Sequence, residues 1–201
     1  MYYFIKSTKF DYGDLNFNPS AESYRGFVTA IPPQKGTTVT MQLRSPLTRK
    51  FNADYVSANK GDLCSLKLRK ILEEENSGIL FYETQVFDRK GKPIEDKYYL
   101  MHISDRFNCV DYDLSIYKHE NLSISCDYKN YDPLTSFDFV KLNEKFIGES
   151  RCFYALNAPF SYMPIVCEEI AKKLISFKLK GIAIMPASEF KWSEITGGST
   201  S

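Results

Sequence analysis

The stretch CEEIAKKLISFKLKGIAIMP, residues 167–186, contains the pattern that decides the fold class. Its polar residues recur at helical spacing along one side, and its apolar residues fall mostly on the other side. Glu168 precedes Lys172 by four residues, which is the favourable order for an ion pair on a helix. Gly181 can adopt the left-handed conformation that ends a helix, and the apolar residues 182–185 follow it. The stretch therefore predicts a helix that leads through a glycine into a strand.

A second stretch, DLCSLKLRKILEEENSGILFYETQVF at residues 62–87, has the same order of elements. Asp62 or Ser65 can cap its helix, and Gly78 follows the helix. Residues 79–103 then predict a β-hairpin with a longer loop, because two β-rich runs flank a turn. Aligned at an offset of 103, the two stretches agree at too few positions to establish a duplication.

The rest of the chain adds strands but no further clear helix. The segment at 11–25 is polar and rich in turn residues, so we expect no regular element there. Alternating or β-branched runs predict strands at 2–6, 26–31, 37–43, 122–128, 137–142 and 152–156.

These elements predict an α+β fold with a mixed, mostly antiparallel sheet and two main helices, each leading through a glycine into a strand. We expect a single domain over residues 1–190, with two lobes at about 1–103 and 104–190 as an alternative arrangement. Residues 191–201 are expected to form a mobile tail.

Composition narrows the class of protein. The 201 residues are 43% hydrophobic and 15% aromatic, which is typical of a packed protein rich in strands. Lys plus Arg (26) nearly balances Asp plus Glu (25), so nothing predicts direct nucleic-acid binding. The chain has no apolar run of about 18 residues and no long apolar core near its start, so we expect neither a membrane span nor a signal peptide. A cytoplasmic protein is the plain interpretation.

Five cysteines are present, and none lies within four residues of another. This spacing favours reduced thiols over a metal or redox motif, and no cofactor is expected. Cys167 is the best candidate nucleophile, because a helix N-terminus can lower the pKa of a thiol. Its flanks are apolar and no histidine is near in sequence, so a structural thiol is favoured. His102 lies in an apolar strand, which favours a packed side chain. His119 lies in a charged stretch, which favours a solvated side chain.

Asp111 and Asp113 in the stretch CVDYDLS offer two explanations. They could form a pair of carboxylates for acid–base chemistry. Alternatively, Asp111 could cap a turn while Ser115 bonds to the backbone, which is the favoured interpretation without a third polar partner.

The loop at 127–138 invites a binding hypothesis, because it mixes tyrosines with carboxylates. Tyrosine is enriched at interface hot spots, where it offers apolar area with a polar tip. The equally weighted alternative is a surface loop whose aromatic rings fold back onto the core. The candidate partner-binding residues are Asp127, Tyr128, Tyr131, Asp132, Phe137 and Asp138.

Three stretches resemble the bacterial immunity proteins of polymorphic toxin systems, of the "immunity protein eleven" type, which includes the Myxococcus-type immunity domain. The first is residues 62–87, which resemble the family's first helix, turn and aromatic strand. The second is KYYLMHISDRFNCVDYDLS, with an Asp-x-x-x-Ser element at Asp111 to Ser115. The third is IGESRCFYALNAPFSYMPIVCEEIAKKLISFKLKGIAIMP, where Cys167 replaces a serine that is usual in the family.

The resemblance implies an immunity protein that binds and neutralises a cognate secreted toxin by steric occlusion, and not an enzyme. The alternatives are a small-molecule-binding module and a cysteine-dependent enzyme that uses Cys167. The acidic excess around residues 126–139 would suit a basic toxin surface, such as that of a nuclease.

Overall fold

A computed structural model describes residues 1–8, 13–18, 24–44, 51–119 and 134–191. Within them two α-helices combine with mixed, mostly antiparallel strands, so the expected α+β class is confirmed. The helices are α1 (Leu66–Glu74) and α2 (Glu168–Ser176), and short 3-10 turns cover Glu144–Phe146 and Ala187–Glu189. The strands are β1 (Tyr2–Ser7), β2 (Gly13–Asn18), β3 (Thr38–Leu43), β4 (Tyr55–Ala58), β5 (Gly61–Ser65), β6 (Leu80–Phe87), β7 (Tyr98–His102), β8 (Arg106–Phe107), β9 (Ile116–His119), β10 (Leu134–Phe139), β11 (Cys152–Ala155), β12 (Ile165–Cys167) and β13 (Ile182–Pro186).

The strands form three sheets within the described residues. The larger sheets have the strand orders β2-β3-β6-β7-β5-β4 and β13-β1-β12-β11-β8, and β9 pairs with β10 in a separate ribbon. Among the described strands, only the β3–β6 and β8–β11 pairs are parallel. The hairpin expected over 79–103 is confirmed, because β6 and β7 pair antiparallel.

Two expectations about the N-terminal part were wrong. The segment at 26–31 is not a strand: Arg25 begins a turn in which the amides of Val28 and Thr29 both donate to its carbonyl at 2.8 Å. The stretch at 11–25 was expected to lack regular structure, yet it contains β2, whose Leu15 is buried between polar neighbours.

Both helices begin as the sequence predicts, at Ser65 and Cys167. The Ser65 hydroxyl accepts a hydrogen bond from the Leu68 amide at 3.2 Å and so caps α1. Cys167 occupies the same position of α2 without a side-chain cap bond. The exposed end of α2 was unexpected, because Ile175, placed on the apolar side by the sequence pattern, is 59% exposed.

The two helix–glycine–strand units share one topology. In the first unit α1 connects β5 to β6, and β7 lies between these two strands and pairs antiparallel with both. In the second unit α2 connects β12 to β13, and β1 lies between them in the same way. β4 flanks β5 as β11 flanks β12. α2 (Glu168–Ser176) lies 102 residues after α1 (Leu66–Glu74), and not 103 as in the sequence alignment. The glycines that close the two units, Gly78 and Gly181, are 103 residues apart. One extra residue therefore lies between the end of α2 and Gly181, compared with the first unit.

Alternation along the strands distributes side chains among three cores. The central core takes one face of each large sheet together with the buried sides of both helices. The opposite face of the five-stranded sheet packs on β10 and on the aromatic residues Phe160 and Phe190. The opposite face of the six-stranded sheet packs on Tyr24 and Phe51. Neither α-helix of the described chain is long and apolar enough to cross a membrane.

Candidate interaction surface

The thiols of the described residues occupy structural positions. Cys64, Cys109 and Cys152 are buried and Cys167 is half-buried. Burial raises the pKa of all four thiols above the usual value, that of Cys109 to about 11. A thiol with a raised pKa stays protonated at neutral pH and is a poor nucleophile. This protonation state favours the structural interpretation of Cys167.

The matching helix starts predict the result of a Cys167→Ser substitution. The backbone angles at Cys167 (φ −68, ψ 165) nearly equal those at Ser65 (φ −69, ψ 164), so a serine there should reach the amide three residues on. We expect the added cap to raise the free energy of unfolding by about 0.5–1 kcal/mol in urea denaturation. Ser65→Ala is the comparison variant and should lower it by more than about 1 kcal/mol, because it also removes the hydrogen bond that the Ser65 hydroxyl donates to the Asp54 carboxylate at 2.6 Å. A destabilised Cys167→Ser protein would contradict the equivalence of the two caps.

The Asp-x-x-x-Ser element forms a closed turn, as the favoured interpretation predicted. Asp111 accepts a hydrogen bond from the Leu114 amide at 3.2 Å through its carboxylate. The Ser115 hydroxyl donates to the Asp111 carbonyl at 2.6 Å and accepts from the Lys141 amide at 3.0 Å. We call residues 111–116 the Leu114 turn. It presents Leu114 and Ile116, which are 62% and 60% exposed, to solvent.

A buried carboxylate, Asp62, lies in the central core. The Tyr154 hydroxyl donates to it at 3.1 Å, and Tyr55 and Ser57 also hydrogen-bond to it. Burial outweighs these bonds and raises the pKa of Asp62 to about 6. The sequence offered Asp62 only as a helix cap, and nothing in its neighbourhood indicated a buried carboxylate. Groups of three or more side chains suited to a metal are absent from the described residues.

Residues 24–31, which we call the Val28 loop, are held by His102 at the end of β7 and by Arg106 of β8. His102 is fully buried, as expected for a packed histidine. Its Nε2 lies 3.3 Å from the Ala30 carbonyl and must carry the proton, because a carbonyl only accepts. Its Nδ1 therefore accepts from the Tyr24 hydroxyl at 2.9 Å. Arg106 donates to the carbonyl of Gly26, in the middle of the loop.

The apolar side chains of this loop divide between core and solvent. Tyr24 is buried and Phe27 is half-buried. Val28 and Ile31 are 62% and 76% exposed, and Ile31 has the largest exposed fraction among the described large hydrophobic residues. Exposed apolar side chains that are close together mark interaction sites more often than scattered ones. The Val28 loop is therefore one candidate contact region.

A bridging segment, residues 157–162, connects this loop with the β9–β10 ribbon. Tyr162 packs edge-to-face against Phe27, with the ring centres 6.5 Å apart. Two residues earlier, Phe160 packs against Phe137 of β10 at 5.4 Å. Tyr112 of the Leu114 turn donates its hydroxyl to the carbonyl of the first residue of the segment. The Val28 loop, the bridging segment and the Leu114 turn are therefore in continuous contact.

The structure places the sequence-predicted partner residues on this ribbon only in part. Phe137 is fully buried, and its ring packs among Tyr112, Tyr117 and Phe160, as in the equally weighted alternative of rings that fold back onto the core. Asp138, next to it, is exposed. The remaining candidates, Asp127, Tyr128, Tyr131 and Asp132, and the strand expected at 122–128 lie outside the described residues.

Sequence reasoning missed the Val28 loop as a candidate site. Its apolar residues resemble a strand, and its fixing contacts come from residues about 80 positions away in the chain.

A search of curated proteins finds no match. The family model described as Immunity protein family (Imm11) matches residues 37–189, which is most of the chain and includes both helix–glycine–strand units. The chain therefore belongs to the Imm11 immunity protein family.

Proposed function

We propose that this protein binds a cognate secreted toxin and neutralises it by covering its functional surface. Membership of an immunity protein family carries the proposal. The protonated thiols and the structural role of Asp111 support it, because the two enzymatic hypotheses depended on these groups. The protein would act in the cytoplasm, as a shaped obstacle to a toxin and not as a catalyst.

We place one end of the contact at the β9–β10 ribbon. Leu114 and Ile116 supply exposed apolar area there, and Asp138 supplies exposed negative charge. The connection between the two strands holds four further candidates, Asp127, Tyr128, Tyr131 and Asp132. Its carboxylates suit a basic toxin surface, such as the substrate groove of a nuclease, and would speed association. A stable interface needs roughly 1,600 Å² in total, or about 800 Å² on each partner.

Co-expression with the toxin domain encoded by the adjoining gene tests this proposal. We expect the wild-type protein to restore growth of cells that make the toxin. Tyr128→Ala combined with Tyr131→Ala should weaken affinity for the purified, inactivated toxin domain by at least about 10-fold, since truncated aromatic anchors typically cost that much. Asp111→Asn keeps the oxygen that accepts from Leu114 and serves as the control, with unchanged protection. Cell death in the presence of folded wild-type protein would overturn the proposal.

A further inference from the structure

We infer that the Val28 loop is a pre-formed anchor that inserts Val28 and Ile31 into an apolar, acid-rimmed pocket of the toxin. This inference rests on the proposed function and adds a second contact region to it. Three observations carry the inference: how the loop is held, which side chains it leaves in solvent, and which charges surround it.

The loop is held at both ends and in the middle. Tyr24 and Ala30 both bond to His102, a fully buried side chain of β7. Between them, the Gly26 amide donates to the Lys60 carbonyl at 2.6 Å, and the Gly26 carbonyl accepts from Arg106. Hydrogen bonds to buried polar groups are costly to break, so they keep the loop in one conformation.

The fixed backbone holds two large apolar side chains in water. The amides of Val28 and Thr29 both donate to the Arg25 carbonyl at 2.8 Å, which fixes the turn that carries Val28. Ile31 follows, and its amide donates to the Thr29 hydroxyl at 3.2 Å. Ordering these side chains before binding reduces the entropy lost on association, which is how a rigid anchor gains affinity. Tyr162, 37% exposed against Phe27, extends the apolar area toward the bridging segment.

Among the described charged residues near the loop, positive charges outnumber negative ones. Arg25 lies within it, and the half-buried Arg106 donates to the carbonyl of Gly26. Asp105 is the exposed carboxylate next to Arg106. The partner pocket should therefore be apolar with an acidic rim, the reverse of the charge expected at the β9–β10 ribbon. Opposite charges at the two ends of one interface would fix the orientation of the toxin.

Binding to the inactivated toxin domain of the adjoining gene tests the anchor. We expect Val28→Gln combined with Ile31→Gln to weaken affinity at least about 10-fold, as loss of central apolar anchors does. The control combines Ile175→Gln with Phe146→Gln, which removes apolar groups of similar exposure (59% and 62%) outside the proposed contact regions. This control should change affinity less than about two-fold. Equal binding by the loop variant and wild type would overturn the anchor and leave the proposed function standing.

Amide hydrogen exchange tests the pre-formed state without any toxin. The amides of Val28 and Thr29 should exchange at least about 10-fold more slowly than in an unstructured peptide, because both are bonded within a fixed turn. Tyr24→Phe removes one bond to His102 and should speed their exchange, while amides of α2 keep their rates. Exchange at unstructured rates in the wild-type protein would overturn the inference even if the toxin binds. A wild-type protein that binds no toxin would overturn the proposed function, and the anchor with it.

Discussion

Replacing Gly181 with alanine is expected to lower the free energy of unfolding by about 3 kcal/mol, far more than the same change at Gly78. Both glycines have φ +75 and close a helix–glycine–strand unit. A side chain at that angle costs about 1–2 kcal/mol in either place. Only at Gly181 would the new methyl group also meet a neighbour, 2.8 Å from the Cβ of Ala53.

The close approach at Gly181 joins the second helix–glycine–strand unit to the segment that precedes β4. The Asp54 amide donates to the Lys180 carbonyl at 2.7 Å, and the Lys180 amide donates back to the Asp54 carboxylate at 2.7 Å. A methyl group at position 181 would push these two segments apart. At Gly78 there is open space, so that substitution should cost only about 1 kcal/mol.

Thermal unfolding of the two variants measures this difference. For a chain of this size we expect the melting temperature to fall by about 8 °C for Gly181→Ala and about 3 °C for Gly78→Ala. Gly78→Ala is the matched control, because it has the same backbone angle without the contact. Equal losses at the two sites would show that the approach of residues 53 and 181 does not contribute to stability.

The second large effect is a pair of opposite pH dependences that nearly cancel in the wild-type protein. Burial raises the pKa of Asp62 from 3.8 to about 6, so the folded protein holds a proton there that the unfolded chain releases. Stability from Asp62 therefore increases as the pH falls from about 6 to 4. Burial lowers the pKa of His102 from 6.5 to about 4, with the Arg106 charge adding to the shift. Stability from His102 therefore decreases as the pH falls from about 6.5 to 4.

Removing either titrating group should leave the pH dependence of the other uncompensated. In the Asp62→Asn variant, His102 is the one of the two groups that still titrates. Relative to wild type, its free energy of unfolding should fall by up to about 3 kcal/mol between pH 6.5 and 4. In His102→Gln only the carboxylate remains, and stability should instead rise over the same range by a similar amount. Glutamine can still accept from Tyr24 and donate to Ala30, so this variant should fold.

Urea denaturation at half-unit pH steps provides the test. Other carboxylates titrate in all three proteins, so the differences between curves, not their absolute slopes, carry the result. Parallel curves for wild type and both variants would contradict the buried states assigned to Asp62 and His102.

The helix–glycine–strand units could be predicted from sequence because their determinants are local. Within each unit the helical spacing, the cap position and the glycine at positive φ all lie within about 25 residues. The sheet order could not be predicted in the same way. β1 lies between β12 and β13, over 150 positions away, and only the packed structure brings them together. The strand β2 was missed because its polar residues hid the alternation of Leu15 and Phe17.

The candidate surface was harder to predict than the fold. Asp111 and Ser115 were assigned correctly, since the bonds that close their turn join residues within five positions of each other. For Phe137 the sequence left both a contact role and a core position open, because an aromatic side chain in a polar segment does not reveal whether it faces the core. The Val28 loop depends on His102 and Arg106, whose positions relative to the loop are set by the sheet and not by any nearby pattern.

The central claim is that this protein neutralises its toxin by covering it. The most direct test is a titration of purified toxin activity with increasing amounts of this protein. Occlusion predicts that activity falls in proportion to the protein added and reaches its minimum at one equivalent. Complete loss of activity at a small fraction of an equivalent would contradict the account, because only a catalyst can inactivate many toxin molecules in turn.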